Sequence, residues 1–465
     1  MTNQQTAIEA FGTWLAETPA RWPDAALHSA QREFIDQIGV TVAGAAEPCT
    51  RIAWDVVGGW GDGPATAIGF NRGLAAPWAA LVNGTSGHAL DFDDNFDPPK
   101  AHATTVLVPA ILALAEQERA GGAALLDAYI CGLQIMGRVG QGVNPVHRNR
   151  GWHATATVGA IGAAAGAARL LGLDANAASR ALSLATSMAA GFMSQFGTMA
   201  KPLHAGLAAK AGVMAASFAR AGMTAGMNTL EGRTGMNHLM VGPDYEQLRD
   251  ELVNPEHGQT LRFETGRVGD PLLILEHGFR VKRFANCGAS HRAIDALLFL
   301  RCTHGFSADD VARVDVHLPQ VHRNNLMYDR PEDGLQSKFS FPYCLAVALH
   351  QGEVLLADFT DEGVRRPHIR ALYDRIQLHP VDKLEGAFPT TVEVTLNTGA
   401  VLSETREWPE GSKWKPFSDA QYWDKFNDCV QGRLTTTQAE QVRRALSDLG
   451  ALEDIDQLMT PLRVI

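Results

Sequence analysis

Apolar residues recur at helical spacing in 27–45, 106–119, 122–140, 154–172, 176–191 and 203–221, which predicts a largely helical region over the first 265 residues. Asp174 ahead of Ala175-Asn176-Ala177-Ala178 predicts a helix start, and Gly172 a stop for the helix before it. The segments 154–172 and 203–221 are dense in Ala and Gly, so their axes should approach their neighbours closely. Gly159, Gly162, Gly166 and Arg169 interrupt 154–173, which therefore predicts a buried helix and not a membrane span.

The pattern changes near 266. A basic, turn-rich stretch, Arg280-Val281-Lys282-Arg283-Phe284-Ala285-Asn286-Cys287-Gly288, leads into a predicted helix from His291 to about Arg301. Val311 to Leu318 and Thr391 to Leu396 alternate as half-buried strands do. Thr398-Gly399 predicts a turn, with Ala400 to Ser403 pairing back as a hairpin, and Phe339 to His350 predicts a helix between the strands. Beyond Pro409 the tail 417–465 returns to helix, and Gln438 to Leu449 is amphipathic. The expected fold class is mainly α: a large all-helical domain from 1–265 plus 406–465, with a smaller α/β domain, 266–405, inserted.

A chain of 465 residues with 46% hydrophobic and 20% charged content is long enough for two folded cores. The formal net charge of −11 argues against a nucleic-acid surface, and an anionic substrate would need a local cationic pocket. The cysteines at 49, 131, 287, 302, 344 and 429 form no CxxC pair, which disfavours a zinc ribbon, a disulfide framework and a dense iron–sulfur ligand set. Reduced thiols in a cytoplasm are the simplest expectation. MTNQQTAIEAFGTWLAET lacks a basic region followed by an apolar core, so it does not read as a secretory signal.

Four polar clusters stand out against this background. Residues 88–105, HALDFDDNFDPPKAHATT, hold Asp91, Asp93, Asp94, Asn95, Asp97, Lys100 and His102, and burying such groups is costly unless they are paired or used. The second cluster is Gly151 to Thr157 with His153, at the start of a Gly/Ala helix whose N–H groups favour an anion. The third, Met199 to Gly206, carries Lys201 and His204, and the fourth runs from Lys282 to His291 with Cys287 and Ser290. Singly, each has a bland alternative. Taken alone, His153 is more often a satisfied structural group than a catalyst, Asp93 or Asp94 can be a helix cap, Lys201 a solvated charge, and Cys287 is more often an inert small hydrophobe than a nucleophile. Together they suggest proton abstraction beside a bound carboxylate, followed by loss of a leaving group, decarboxylation or reprotonation. The competing reading is a hard cation on Asp91, Asp93, Asp94 and His102, disfavoured because DxDD lacks the ligand spacing and terminal glutamate of an EF-hand loop.

HALDFDDNFDPPKAHATTVLVPAILALAE resembles the signature region of the MmgE/PrpD family. GWHATATVGAIGAAAGAARLLGLDA and KPLHAGLAAKAGVMAASFARAGMTA are similar to its second and third signatures. LEGRTGMNHLM, KRFANCGASHRAIDA, KFSFPYCLAVALHQG and WDKFNDCV extend the resemblance in order almost to the C-terminus. The resemblance implies a helical domain built from both chain ends, an α/β lid, a homodimer, and a cofactor-independent enzyme without metal acting on a small polycarboxylate. The family's members include 2-methylcitrate dehydratases, cis-aconitate decarboxylases and iminodisuccinate epimerases. Carried over by position, it points to Asp91, His102, His153 and Lys201 as catalytic residues, with Lys282 and His204 beside the substrate. Asn95 stands where the decarboxylase-like pattern has Thr, Cys287 where it has a histidine, and the loop around Lys100 is one residue longer. These departures disfavour cis-aconitate decarboxylation and do not choose among the remaining reactions. The leading expectation is a hydro-lyase of the 2-methylcitrate dehydratase type, with His153 as base. An isomerase or epimerase is the first rival and a non-catalytic carboxylate-binding protein the second. Tyr328, Arg330 and Ser340 in the α/β domain are able to touch substrate and equally able to be structural.

Overall fold

The computed structural model describes residues 5–253, 255–383 and 388–463. The chain divides into two compact units: a helical one up to Phe196, with Ala200–Phe279 and from Ser418 onward, and a second one from Gly197–Met199 and Arg280–Phe417. These boundaries lie beyond the expected 265/266 and 405/406. Residues 266–279 are tied to the helical unit. The Gln134 amide donates to the carbonyls of Val268 (2.6 Å) and Pro271 (3.1 Å) and accepts from the Leu273 N–H (2.8 Å). The Arg138 guanidinium binds the carbonyls of Arg267, Val268 and Pro271. Residues 406–417 belong to the second unit, because the Val281 N–H donates to the Gly411 carbonyl (2.9 Å) and the Glu410 N–H to Asp295 (3.0 Å).

The helical unit contains Ala7–Glu17, Asp24–Gly44, Pro48–Gly58, Ala76–Ala89, Thr104–Glu118, Gly122–Gln141, Ala154–Leu170, Ala175–Thr186 and Ala200–Arg220, with Asp419–Val430 and Thr436–Ser447 contributed by the C-terminal stretch. A small hairpin, β1 (Asp62–Thr66) with β2 (Gly73–Leu74), joins them. Ala200–Arg220 packs between Ala76–Ala89 and Ala154–Leu170. The approach needs glycine: a Cβ on Gly206 would lie 2.2 Å from the Leu81 carbonyl, and one on Gly212 2.5 Å from the backbone of Ala163. The Ala154–Leu170 helix is buried from Ala154 to Ala168, as its composition predicts. Asp174 caps Ala175–Thr186 by accepting from the Ala177 N–H at 2.7 Å. No described helix is long and apolar enough to cross a membrane.

The second unit is built on a four-stranded sheet in the order β4-β3-β5-β6, with β3 at Val311–Pro319, β4 at Ile376–Val381, β5 at Thr390–Leu396 and β6 at Val401–Arg406. β3 runs parallel to β4 and antiparallel to β5, and β5–β6 is the predicted hairpin. The helices His291–His304 and Phe341–Gln351 pack in the same unit. The architecture is mainly α with a smaller α/β region.

Candidate active site

The 88–105 stretch leaves the Ala76–Ala89 helix after Ala89 and re-enters helix at Thr104. Between them the chain turns sharply. Asp91 adopts φ +52°, in the left-handed region that aspartate tolerates better than most residues and that often marks a constrained site. The turn brings acids and histidines into one buried group. Asp93 accepts from His88 Nδ1 at 2.8 Å and lies 3.3 Å from His102 Nδ1. The other ring nitrogen of His102 is 3.9 Å from Asp91. The Lys201 ammonium, in the first turn of Ala200–Arg220, donates to the Asp91 carboxylate and lies 5.4 Å from the centre of the Phe196 ring. His102 is itself held by its N–H, which donates to Thr155 Oγ1 at 3.1 Å.

A histidine pair completes the group. His153, at the N-terminus of Ala154–Leu170, places Nδ1 3.0 Å from His204 Nδ1. Its ring stacks 6.1 Å from His88 and meets Phe196 edge-on at 5.0 Å. The starts of two long helices thus converge here, each the positive end of a helix dipole.

The neighbours set the charge of each group. Burial pushes the His153 imidazole well below its usual range, and Lys201, His88, His204 and His102 add to the effect, so it is a neutral base at physiological pH. Burial, with the nearby Lys201, lowers His204 as well, and it lowers His88 to about 3 against the pull of Asp93. Burial alone would raise Asp93, but the flanking His88 and His102 outweigh it and hold the carboxyl well below the usual range. The site therefore contains a fixed carboxylate between two imidazoles, an ammonium–carboxylate pair, and a neutral histidine pair.

The structure brings together Asp91, His102, His153, Lys201 and His204. Asn95 is half-buried on the same loop, and Lys100 closes the turn by donating its N–H to the Asp97 carbonyl at 2.9 Å. Lys282, Cys287 and Tyr328 lie in the second unit, where Lys282 is buried and the Cys287 N–H donates to the Lys338 carbonyl at 3.0 Å. Ser340 caps the Phe341–Gln351 helix through the Tyr343 N–H, and Arg330 pairs with Asp374 at the surface. His88 belongs to the group although the sequence reading gave it no role, and Asp93, read there as a helix cap or a cation ligand, lies instead between two imidazoles. His88 sits in the last turn of its helix, and its five-residue separation from Asp93 was the available signal.

The cation reading changes composition. Asp94 points elsewhere and accepts from the Thr104 N–H at 3.1 Å, which makes it a cap of the helix that follows. His88, Asp91, Asp93 and His102 instead place one ligand atom each within 4.8 Å of one another. The Lys201 ammonium already meets the charge of Asp91, and the imidazoles meet that of Asp93, so this donor set is satisfied by its own side chains.

Comparison with known proteins gives two matches along the chain, to the MmgE/PrpD N-terminal domain over residues 9–248 and to the MmgE/PrpD C-terminal domain over residues 284–450. Cis-aconitate decarboxylase of Homo sapiens is 25% identical over 95% of this chain and 91% of its own length. The mouse (Mus musculus) protein of the same name is 27% identical over 84% of this chain and 79% of its own length. Cis-aconitate decarboxylase of Aspergillus terreus is 25% identical over 85% of this chain and 83% of its own length.

Proposed function

The chain belongs to the MmgE/PrpD family, and we propose that it is an enzyme acting on a small polycarboxylate by proton abstraction alpha to a carboxylate, with loss of water. The observation that carries this reading is the neutral, buried His153 beside the Lys201–Asp91 pair. In this reading His153 donates its Nδ1–H to His204 Nδ1, which leaves Nε2 as the basic nitrogen that takes the alpha proton. The two helix N-termini and the Lys201 ammonium stabilise the negative charge that develops on the substrate carboxylate, because they are in place before the reaction begins. His102, between Asp91 and Asp93, gives a proton to the departing hydroxyl. Asn95 shapes selectivity in this reading, and Lys282, Cys287 and Tyr328 are proposed as substrate-binding residues of the second unit. The residues named supply the whole proton inventory, so the scheme routes no step through a cofactor.

A second reading is decarboxylation, favoured by the relatives described above, each named cis-aconitate decarboxylase, that align over most of the chain. It requires a proton donor to the carbon that loses carbon dioxide, a role that His102 would take in place of protonating a leaving hydroxyl. Proton NMR of citrate, 2-methylcitrate and cis-aconitate incubated with the protein separates the readings. New vinylic protons from a hydroxy acid support dehydration. Carbon dioxide from cis-aconitate, with no change in the hydroxy acids, overturns dehydration in favour of the second reading. Thermal stabilisation without turnover overturns both and leaves a carboxylate-binding protein.

A further inference from the structure

Behind the loop that carries Asp91 and Asp93 stands a lysine from the far end of the chain. Lys425, on Asp419–Val430, donates to the Phe92 carbonyl at 2.8 Å across a separation of 333 residues. Its ammonium lies 4.0 Å from the centre of the Phe92 ring and pairs with Asp36 at 2.6 Å. Lys425 is 7% exposed and Asp36 3%. Three residues earlier on the same helix, the Tyr422 hydroxyl donates to Glu33 at 3.1 Å, so two polar pairs join this helix to Asp24–Gly44.

Phe92 is the residue between Asp91 and Asp93. Lys425 holds it by carbonyl and ring at once, while Asp91 takes the left-handed conformation that lets both flanking carboxylates face the histidines. Helix contact alone does not call for a lysine here. A buried ion pair is weak evidence for stability, and apolar side chains of similar volume pack two helices at least as well. An apolar residue would leave the Phe92 carbonyl without this donor.

We propose that Lys425 is a positioning residue, which sets the Asp91 and Asp93 carboxylates against Lys201, His88 and His102. The proposal rests on the proton-transfer reading of that group. Lys425→Met alone would take the ammonium away from the buried Asp36, so the variant to test is Asp36→Asn with Lys425→Met, which removes both charges. The protein should stay folded, with kcat lowered roughly 10- to 100-fold, as displacement of a catalytic group by a fraction of an ångström produces, and KM within about threefold. The ¹⁵N imidazole signals of His88 and His102 should shift in the free protein. Lys425→Arg, which keeps a donor for the Phe92 carbonyl, should retain turnover within about fivefold of wild type. Wild-type kcat with unmoved imidazole signals overturns the proposal, and so does a loss of turnover that merely follows the folded fraction. Lys201→Ala in the same assay keeps the two questions apart. Full turnover there refutes the proton-transfer reading, whereas the imidazole signals report the position of the loop whatever the reaction.

Discussion

Asp93 and Asp94 are adjacent, equally buried, and opposite in chemistry. On the front of the loop Asp93 lies between His88 and His102 and stays ionised. On the back Asp94 accepts from Thr104 and lies among Asp36, Glu33 and Tyr129, while Tyr422 and Lys425 on Asp419–Val430 meet Glu33 and Asp36. Burial, with Asp93 and Asp36 adding like charge, pushes Asp94 up to about 7, and burial raises Glu33 as well. Oδ2 of Asp94 and Oε2 of Glu33 accept no hydrogen bond among the described residues. Alternating side chains turn one acidic run into two environments. Burial is common to both, so the neighbours decide which carboxylate is a fixed charge and which holds a proton.

The largest effects should come from the front. His153→Ala removes the proposed base and should lower kcat about 10²–10⁴-fold without loss of the helical circular dichroism, and near-normal turnover would remove His153 from the mechanism. Lys201→Ala should cost about 10²–10³-fold in kcat, because it removes a preorganised cation, and kinetics on a substrate found by NMR checks it. Asp93→Asn and Asp94→Asn then compare the two faces directly. The front variant should lose turnover and the back variant should keep most of it, and equal losses would erase the distinction.

The back variant should show in stability against pH. The raised pKa of Asp94 means that its contribution is fully present below the ordinary carboxylate range and is lost as pH rises through about 7. Asp94→Asn should therefore gain on wild type between about pH 4 and pH 7, by at most on the order of 4 kcal/mol, in chemical denaturation. A constant difference across that window would contradict the account. On the acid side the sign reverses. His88 and His147 are lowered to about 3 by burial, so the stability they carry is present above about pH 6.5 and lost as pH falls towards 3. The smallest effect is expected from His147→Gln, which keeps a partner for Thr157, 2.9 Å from His147 Nε2, and should flatten that acid-side loss in thermal melts at pH 4 and 7.

Much of this was legible in the sequence, and the rest was hidden for identifiable reasons. The six helices read from periodicity exist, because each has enough apolar residues at the right spacing. Ala76–Ala89 escaped because it is buried on nearly every side and carries no polar stripe to set a period. β4 escaped because Ile376–Val381 is a sheet edge with one buried residue and Pro380 within it, where proline is tolerated. The clusters at 88–105, 153 and 201–204 were visible as polar groups in apolar surroundings. The alternation that sends Asp93 forward and Asp94 back depends on the left-handed Asp91, which composition does not announce. Lys425 was beyond reach, since nothing local ties it to a loop 333 residues away.

The central claim is that a neutral His153 takes a proton from carbon next to a carboxylate. The direct measurement is hydrogen–deuterium exchange at that carbon, followed by NMR in deuterated water with the wild type and His153→Ala on the substrate identified by the screen. The account predicts exchange or proton loss at the alpha position in the wild type, and its decrease by about 10²-fold or more in the variant. Turnover with the alpha hydrogen retained, or exchange that His153→Ala leaves unchanged, would contradict it.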